Sequence, residues 1–178
     1  MSQDLGANLP QDLFQFLSSA GPEENSHQVI LFTSSDADGW PRHGMLSPLE
    51  VVARDPGHLL MLLYRDSRSR RNLEREGKVS LILINPEMSY YVSCSARPLP
   101  SIAEAPQECL FALKVERVLE DVLPTASILT GITFEGYDPG MTLENRRQVV
   151  AKLQSMPWQR LKNNQQGGIT TEDTENTE

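Results

Sequence analysis

Apolar positions along this chain recur mostly at strand spacing. Two unbroken runs, HLLMLLY at residues 58–64 and VSLILIN at 79–85, are short for free-standing helices and of the right length for buried strands. Further on, Tyr90, Val92, Cys94 and Ala96 alternate with Tyr91, Ser93 and Ser95, and the same alternation runs from Leu110 through Val118 within 108–119. Both patterns predict strands with one buried face. Residues 27–35, HQVILFTSS, end in Asp36-Ala37-Asp38-Gly39, a hairpin signal in which the glycine tolerates the positive φ of a tight reversal. Its partner strand runs from Pro41 to Leu49. The prolines at 41 and 48 confine that strand to an edge or a bulge, and Gly44 leaves room for a ligand or another backbone to approach. Val51 and Val52 finish a strand, and Asp55-Pro56-Gly57 turns the chain into the run at 58–64.

Helical spacing appears in two places. Leu9, Leu13, Phe16 and Leu17 share a face over 9–19, where Gly21-Pro22 ends a short lid helix. Leu143, Val149, Val150 and Leu153 do the same over 142–155, with Thr142 and Asn145 as a cap. The three prolines of 97–107 predict a loop. Residues 120–136 read as a short helix followed by a strand from Ile128 to Phe134.

Between the two apolar runs lies RDSRSRRNLEREGK, residues 65–78. Asp66 or Ser67 can cap a two-turn helix there, and Gly77 can end it. The start of such a helix presents unpartnered backbone N–H groups and about half a positive charge. Ser67 and Ser69 add hydroxyls, and Arg65, Arg68, Arg70 and Arg71 add charged forks. Three kinds of donor converging on one spot suit an anion, above all a phosphate monoester. A second reading is an exposed polar helix whose arginines pair with Asp66, Glu74 and Glu76.

Charge sharpens that choice. The net charge of −8 argues against nucleic acid or an anionic membrane as a partner, so a basic cluster against the overall sign points to a specific anion. At 178 residues the chain is long enough for one domain with its own core. Residues 1–162 read as that domain and 163–178 as a flexible acidic tail with too few apolar groups to order. No signal peptide or span of ~20 apolar residues stands out, so a cytoplasmic protein is expected. Cys94 and Cys109 fall on neighbouring strands, where a disulfide is geometrically open but two free thiols suit a cytosolic chain. Three scattered histidines and no CxxC or HExxH leave no expected metal site.

The order of these features resembles the FMN-binding split-barrel family typified by pyridoxamine 5′-phosphate oxidase. The resemblance rests on Ser67-Arg68-Ser69-Arg70-Arg71-Asn72-Leu73 after a strand, then Val79-Ser80-Leu81, with Asp38-Gly39-Trp40-Pro41 upstream, and covers roughly residues 10 to 120. It implies a mainly β (α+β) fold, a six-stranded antiparallel split barrel with flanking helices, forming a homodimer with FMN at the subunit interface. Gly44, Met45, Leu46 and Ser47 would then lie beside the isoalloxazine ring, largely through main chain, and Leu62, Leu63 and Tyr64 near the ribityl chain. Ser67, Arg68, Ser69 and Arg71 would hold the phosphate, with Asn72 supporting the helix. Relatives often carry Lys where this chain has Ser69, a charge that Arg70 or Arg65 could replace, and Arg where it has Gly44. Tyr90 and Tyr91 are barrel residues, or one of them reaches a flavin across the interface. The implied activity is an FMN-dependent oxidoreductase taking a small-molecule substrate or a nicotinamide donor, with no catalytic residue assigned. Trp158-Gln159-Arg160-Leu161 is a faint echo of the naming oxidase's substrate grip and no histidine follows, so that oxidase's own reaction is not expected. Alternatives are a flavin carrier or sensor, or a barrel holding a deazaflavin or haem.

Overall fold

The run at 58–64 is apolar at every internal position because both of its faces are covered, and the fold is built around it. The computed structural model describes residues 2–18, 26–121, 125–135 and 143–157. In chain order they form β1 (Ser2–Gly6), α1 (Gln11–Ser18), β2 (Ile30–Ser35), β3 (Pro41–Leu46), β4 (Val51–Asp55), β5 (His58–Tyr64), α2 (Arg68–Glu76), β6 (Lys78–Asn85), β7 (Met88–Leu99), β8 (Glu108–Asp121) and α3 (Leu143–Ser155). The strands make one antiparallel sheet in the order β3-β2-β6-β7-β8-β5-β4, with β1 paired to β8. The long β8 has β7 on one side and, on the other, β5 along its first half and β1 along its end.

Leu59, Met61 and Leu63 face a main core shared with Phe32, Leu81, Val92, Val118 and Phe111, closed by Leu13, Phe16 and Leu17 of α1 and Leu73 of α2. Leu60 and Leu62 face the other way, into a second core with Leu110 and Ala112 of β8, Val149, Val150 and Leu153 of α3, and Ile102 and Ala105 of the loop after β7. A strand covered on both faces has no reason to alternate. The open sheet, wrapped around a core and flanked by three helices, is a split barrel of the expected class.

Several expectations need correction. The sheet has eight strands where six were expected. β1 is nearly all exposed and carried no apolar signal, and β4 is a strand of its own, separated from β3 by a turn at residues 47–50 where Glu50 N donates to Ser47 O at 3.0 Å. β7 continues through Arg97, Pro98 and Leu99, opposite Ala112, Phe111 and Leu110, so the loop begins only at Pro100. The ladder between β6 and β7 ends at Ser95, leaving one side of Pro98 without a strand, where a missing N–H costs no bond. Residues 125–135 form neither helix nor strand; an isolated bridge from Gln28 to Thr133 anchors them. Gly131 is needed there, since a Cβ would lie 2.4 Å from the Ile84 carbonyl oxygen.

Other expectations hold. Pro41 opens an edge strand, as β3 pairs only with β2, and Gly39 (φ +83°) closes the hairpin, with Asp36 Oδ1 accepting from Asp38 N and Trp40 N. Both cysteines are free thiols. Cys94 stands opposite Val115, six positions from Cys109, about 20 Å along β8 and far beyond disulfide reach. Gly21-Pro22, the cap at Thr142, Trp158 to Leu161 and the tail at 163–178 lie outside the described residues. No described helix is long and apolar enough to cross a membrane.

Candidate cofactor site

The helix after β5 forms where the sequence placed it. Ser67 is its N-cap, with extended backbone and its Oγ accepting from Arg70 N at 3.1 Å, and Gly77 (φ +62°) ends it by donating to Leu73 O at 2.9 Å. The cap satisfies Arg70 N and leaves the N–H groups of Arg68 and Ser69 without a partner among the described residues. Asn72, buried, donates to Ser34 Oγ of β2 at 3.2 Å, and Arg75 donates to Ser35 O at 2.8 Å. Those two bonds lay α2 across the end of β2. The cross-strand partner of Ser34 is Arg42 on β3, an exposed arginine that the sequence reading had not placed at the site.

The four arginines of the cluster divide. Arg70 forks onto Glu74, with Nη1 at 2.7 and 2.8 Å from the two carboxylate oxygens, leaving Nε buried without a partner. Arg65 turns to the loop before β8, donating to Ser101 Oγ and Pro106 O at 3.2 Å and Glu108 O at 3.4 Å. Arg70 follows the paired reading, whereas Arg65 is committed to oxygens that reading did not name. Arg68 and Arg71 are exposed and make no bond among the described residues. With Ser69, buried, they are the uncommitted donors of the first turn.

Along β3, Gly44 stands opposite Phe32, and a Cβ at 44 would lie 2.3 Å from the phenyl ring. The barrel's own aromatic therefore requires glycine there, independently of any ligand. Met45 points outward and is 68% exposed, whereas Leu46 and Ser47 are buried. The outer edge of β3 has no strand beside it. Leu62 and Leu63 bury their side chains in opposite cores, so of the three residues ending β5 only Tyr64 exposes its ring. Tyr90 faces inward and donates to Asp12 of α1 at 2.9 Å, and burial pushes its phenol well above the ordinary range. Tyr91 lies on the opposite face, between Ile82 and Leu119.

Beneath this edge sits a charged group absent from the sequence reading. Arg146 of α3, 3% exposed, grips Glu108 with two bonds of 2.7 and 2.8 Å and reaches Glu50 at 3.3 Å. Glu50 Oε2 accepts in turn from Ser47 N at 2.7 Å. Burial pushes the Glu50 carboxyl above its usual value, against the pull of the Ser47 amide and the Arg146 charge. Burial alone would lower Arg146, but the hydrogen bonds and charge of Glu108, then Glu50 and Tyr64, hold it above the ordinary guanidinium value.

On the outer face of β2, β6, β7 and β8 a depression of about 460 Å³ is lined by Thr33, Ser80, Ser93, Ser95, Lys78 and Glu116. Glu116 is the extra residue of a bulge between Ser93 and Cys94, which turns its carboxylate onto that face to accept from Ser95 at 2.8 Å. Among the described residues no cluster of three or more His, Cys, Asp or Glu could hold a metal.

With that geometry fixed, the chain can be set beside known proteins. No family model matches it. It is similar to the uncharacterized protein YclD of Bacillus subtilis (strain 168), 25% identical over 142 residues that span 79% of this chain and 92% of that one. Among solved structures, a candidate pyridoxamine 5′-phosphate oxidase of Lactobacillus delbrueckii matches with a TM-score of 0.53 at 20% identity, over 65% of this chain and 98% of that chain. HupZ of Group A Streptococcus matches at 0.50 and 18% identity, over 64% and 99%. The fold is that of the pyridoxamine 5′-phosphate oxidase-like split barrels, which supports the resemblance carried by Ser67 to Leu81.

Proposed function

We propose that this protein binds FMN as a homodimer and acts as a flavin-dependent oxidoreductase on a small molecule, with a nicotinamide as electron donor. The observation that carries the reading is the division of the arginine cluster. Arg65 and Arg70 are spoken for, while Arg68 and Arg71 stand exposed and, among the described residues, unpaired beside two N–H groups without a partner at the start of α2. A phosphate dianion answers each of these groups, and charge-assisted bonds of this kind are about twice as strong as neutral ones. The donor set therefore fits FMN: Ser69, Arg68 and Arg71 would hold the phosphate, and the unpaired edge of β3 from Gly44 to Leu46 would offer main-chain groups to the ring, the Ser47 amide beyond it being taken by Glu50. Bound FMN would supply hydride acceptance and release, and this chain's part is position, charge and exclusion of water.

The homodimer draws support from exposed apolar side chains, Met45 of β3 and Ile84 of β6 in the sheet and Leu129 and Ile132 in the segment at 125–135, Leu129 being 85% exposed. Exposed apolar area of that kind marks an interaction surface. The test is an anaerobic titration of the purified full chain with FMN, followed by NADH or NADPH. Saturable binding, weakened in Arg68→Ala, together with bleaching by a nicotinamide and recovery in air, is the expected result. Binding without bleaching would leave a carrier or sensor, and no binding would remove the flavin.

A further inference from the structure

We propose that Arg146 is a positioning residue that fixes the two banks of the candidate cofactor site, the end of β3 and the end of β5, relative to each other; this rests on the cofactor site proposed above. One bank is the end of β3, the other the end of β5 from which α2 starts. In the sheet these strands are far apart, since β3 is at one edge and β5 sits beside the other. No ladder hydrogen bonds join them.

The turn after β3 leads straight into β4, whose ladder with β5 sets Val51 opposite Met61 and already joins the two regions, and Arg146 adds a side-chain link across the same junction. Through Glu50, Arg146 reaches the turn that follows β3: Glu50 Oε2 accepts from Ser47 N at 2.7 Å, and the Glu50 carbonyl accepts from Leu62 N of β5 at 2.9 Å. Through Glu108 it reaches the other bank, because Glu108 pairs with Tyr64, its carbonyl accepts from Arg65, and Arg65 N donates to Gln107 O at 2.9 Å. Tyr64 O then accepts from Ser67 N, the cap of α2, at 3.0 Å. From Arg146, each bank is therefore a short chain of hydrogen bonds away.

Its helix is held so that the arginine cannot drift. Val149, Val150 and Leu153 bury the middle of α3, and at its far end Arg54 of β4 donates to the carbonyls of Leu153 and Met156. Lys152 pairs with Glu104 at 3.2 Å, and Gln154 donates to Ser18 O at 2.8 Å. The guanidinium is the rigid planar fork suited to bridging two carboxylates at fixed angles. Docking of α3 and cofactor binding are thus coupled through one side chain that touches neither phosphate nor ring.

Stability and positioning can be separated by experiment. Replacing a buried ion pair with apolar residues of similar volume is often neutral for folding, so the triple variant Glu50→Gln, Glu108→Leu and Arg146→Met, which leaves no carboxylate without its cation, keeps the fold but removes the fork. Hydrogen exchange on the full chain without cofactor should show faster exchange at the amides of Ser47, Leu62 and Arg65, with Leu81 and Val92 in the sheet centre unchanged. FMN should then bind about tenfold more weakly at an unchanged melting temperature. Arg146→Lys, which keeps the charge and loses the fork, covers the case in which the triple variant does not fold, and should lie between it and the wild type. Unaltered exchange at those three amides, with FMN affinity unaltered, would overturn the proposal. If the wild type takes up no FMN, the cofactor reading fails by itself, and the exchange data alone decide whether Arg146 sets the geometry of the two banks.

Discussion

Two groups of arginines in this protein obey opposite rules. At the start of α2, Arg68 and Arg71 are exposed and make no bond among the described residues, and Arg146 lies 3% exposed between two carboxylates. An exposed cation costs the fold almost nothing and remains available to a ligand. A buried one is tolerable only when paired, and once paired it is part of the frame. The difference teaches that a cluster's density in the sequence says little about which arginines the fold can spare: of four in the first group, two are already committed to Glu74 and to the loop before β8.

The comparison breaks most visibly at Arg146. Arg146→Ala leaves Glu108, 2% exposed, as an uncompensated buried charge, and should cost about 3–5 kcal/mol in urea or thermal unfolding. A loss below about 1 kcal/mol would mean that the pair is no more than a surface contact. The opposite profile is expected at α2. Arg68→Ala and Arg71→Ala should leave unfolding within about 0.5 kcal/mol of wild type. Each should weaken FMN by about 1.5–3 kcal/mol, the range for hydrogen bonds to charged groups, read by calorimetry or flavin fluorescence.

How far each group was legible follows from the same physics. The runs at 58–64 and 79–85, the cap at Ser67 and the stop at Gly77 were visible because local chemistry dictates them. The cluster at 65–71 was visible as a cluster, but its division was not, since Arg65 finds its partners 36 or more residues away. Arg146 did leave a trace. Leu143, Arg146, Val149 or Val150, and Leu153 recur at helical spacing, so a charge occupies the centre of the apolar face of α3. Such a residue must be paired where it is buried, but its partners lie 38 and 96 residues away, and no local pattern names them. β1 gave no signal because Leu5 alone of its five residues packs against the core, and Pro98 misled because its tolerance depends on which neighbour is missing.

Gly44 sharpens the contrast from the side of the ring. If the glycine served only to admit a ligand, Gly44→Ala would impair binding and leave the fold alone. The Phe32 ring, 2.3 Å from the added Cβ, predicts instead an overpacking cost of about 1–3 kcal/mol with or without FMN. Pairing it with Phe32→Leu should recover part of that loss in a double-mutant cycle. Additive costs in the cycle would show that the ring and the glycine are not coupled.

The smallest expected effect separates the two groups by pH. Burial raises the Glu50 carboxyl above 4.5, so the folded protein holds that proton more tightly than the unfolded chain. The sign follows: this contribution to stability is full below the unfolded value and is lost as pH rises through the folded one. Glu50→Gln has no such titration, so its unfolding free energy should gain on wild type as pH rises through the raised Glu50 titration, then run parallel. Asp4, Glu104 and Glu116, whose carboxyls are lowered, slope the other way but are common to both proteins and cancel in the difference. Arg68→Ala removes an exposed side chain that makes no bond among the described residues and should follow the wild-type curve at every pH. Parallel curves for Glu50→Gln as well would place the excess charge in solvent and erase the distinction between the open and the buried arginines.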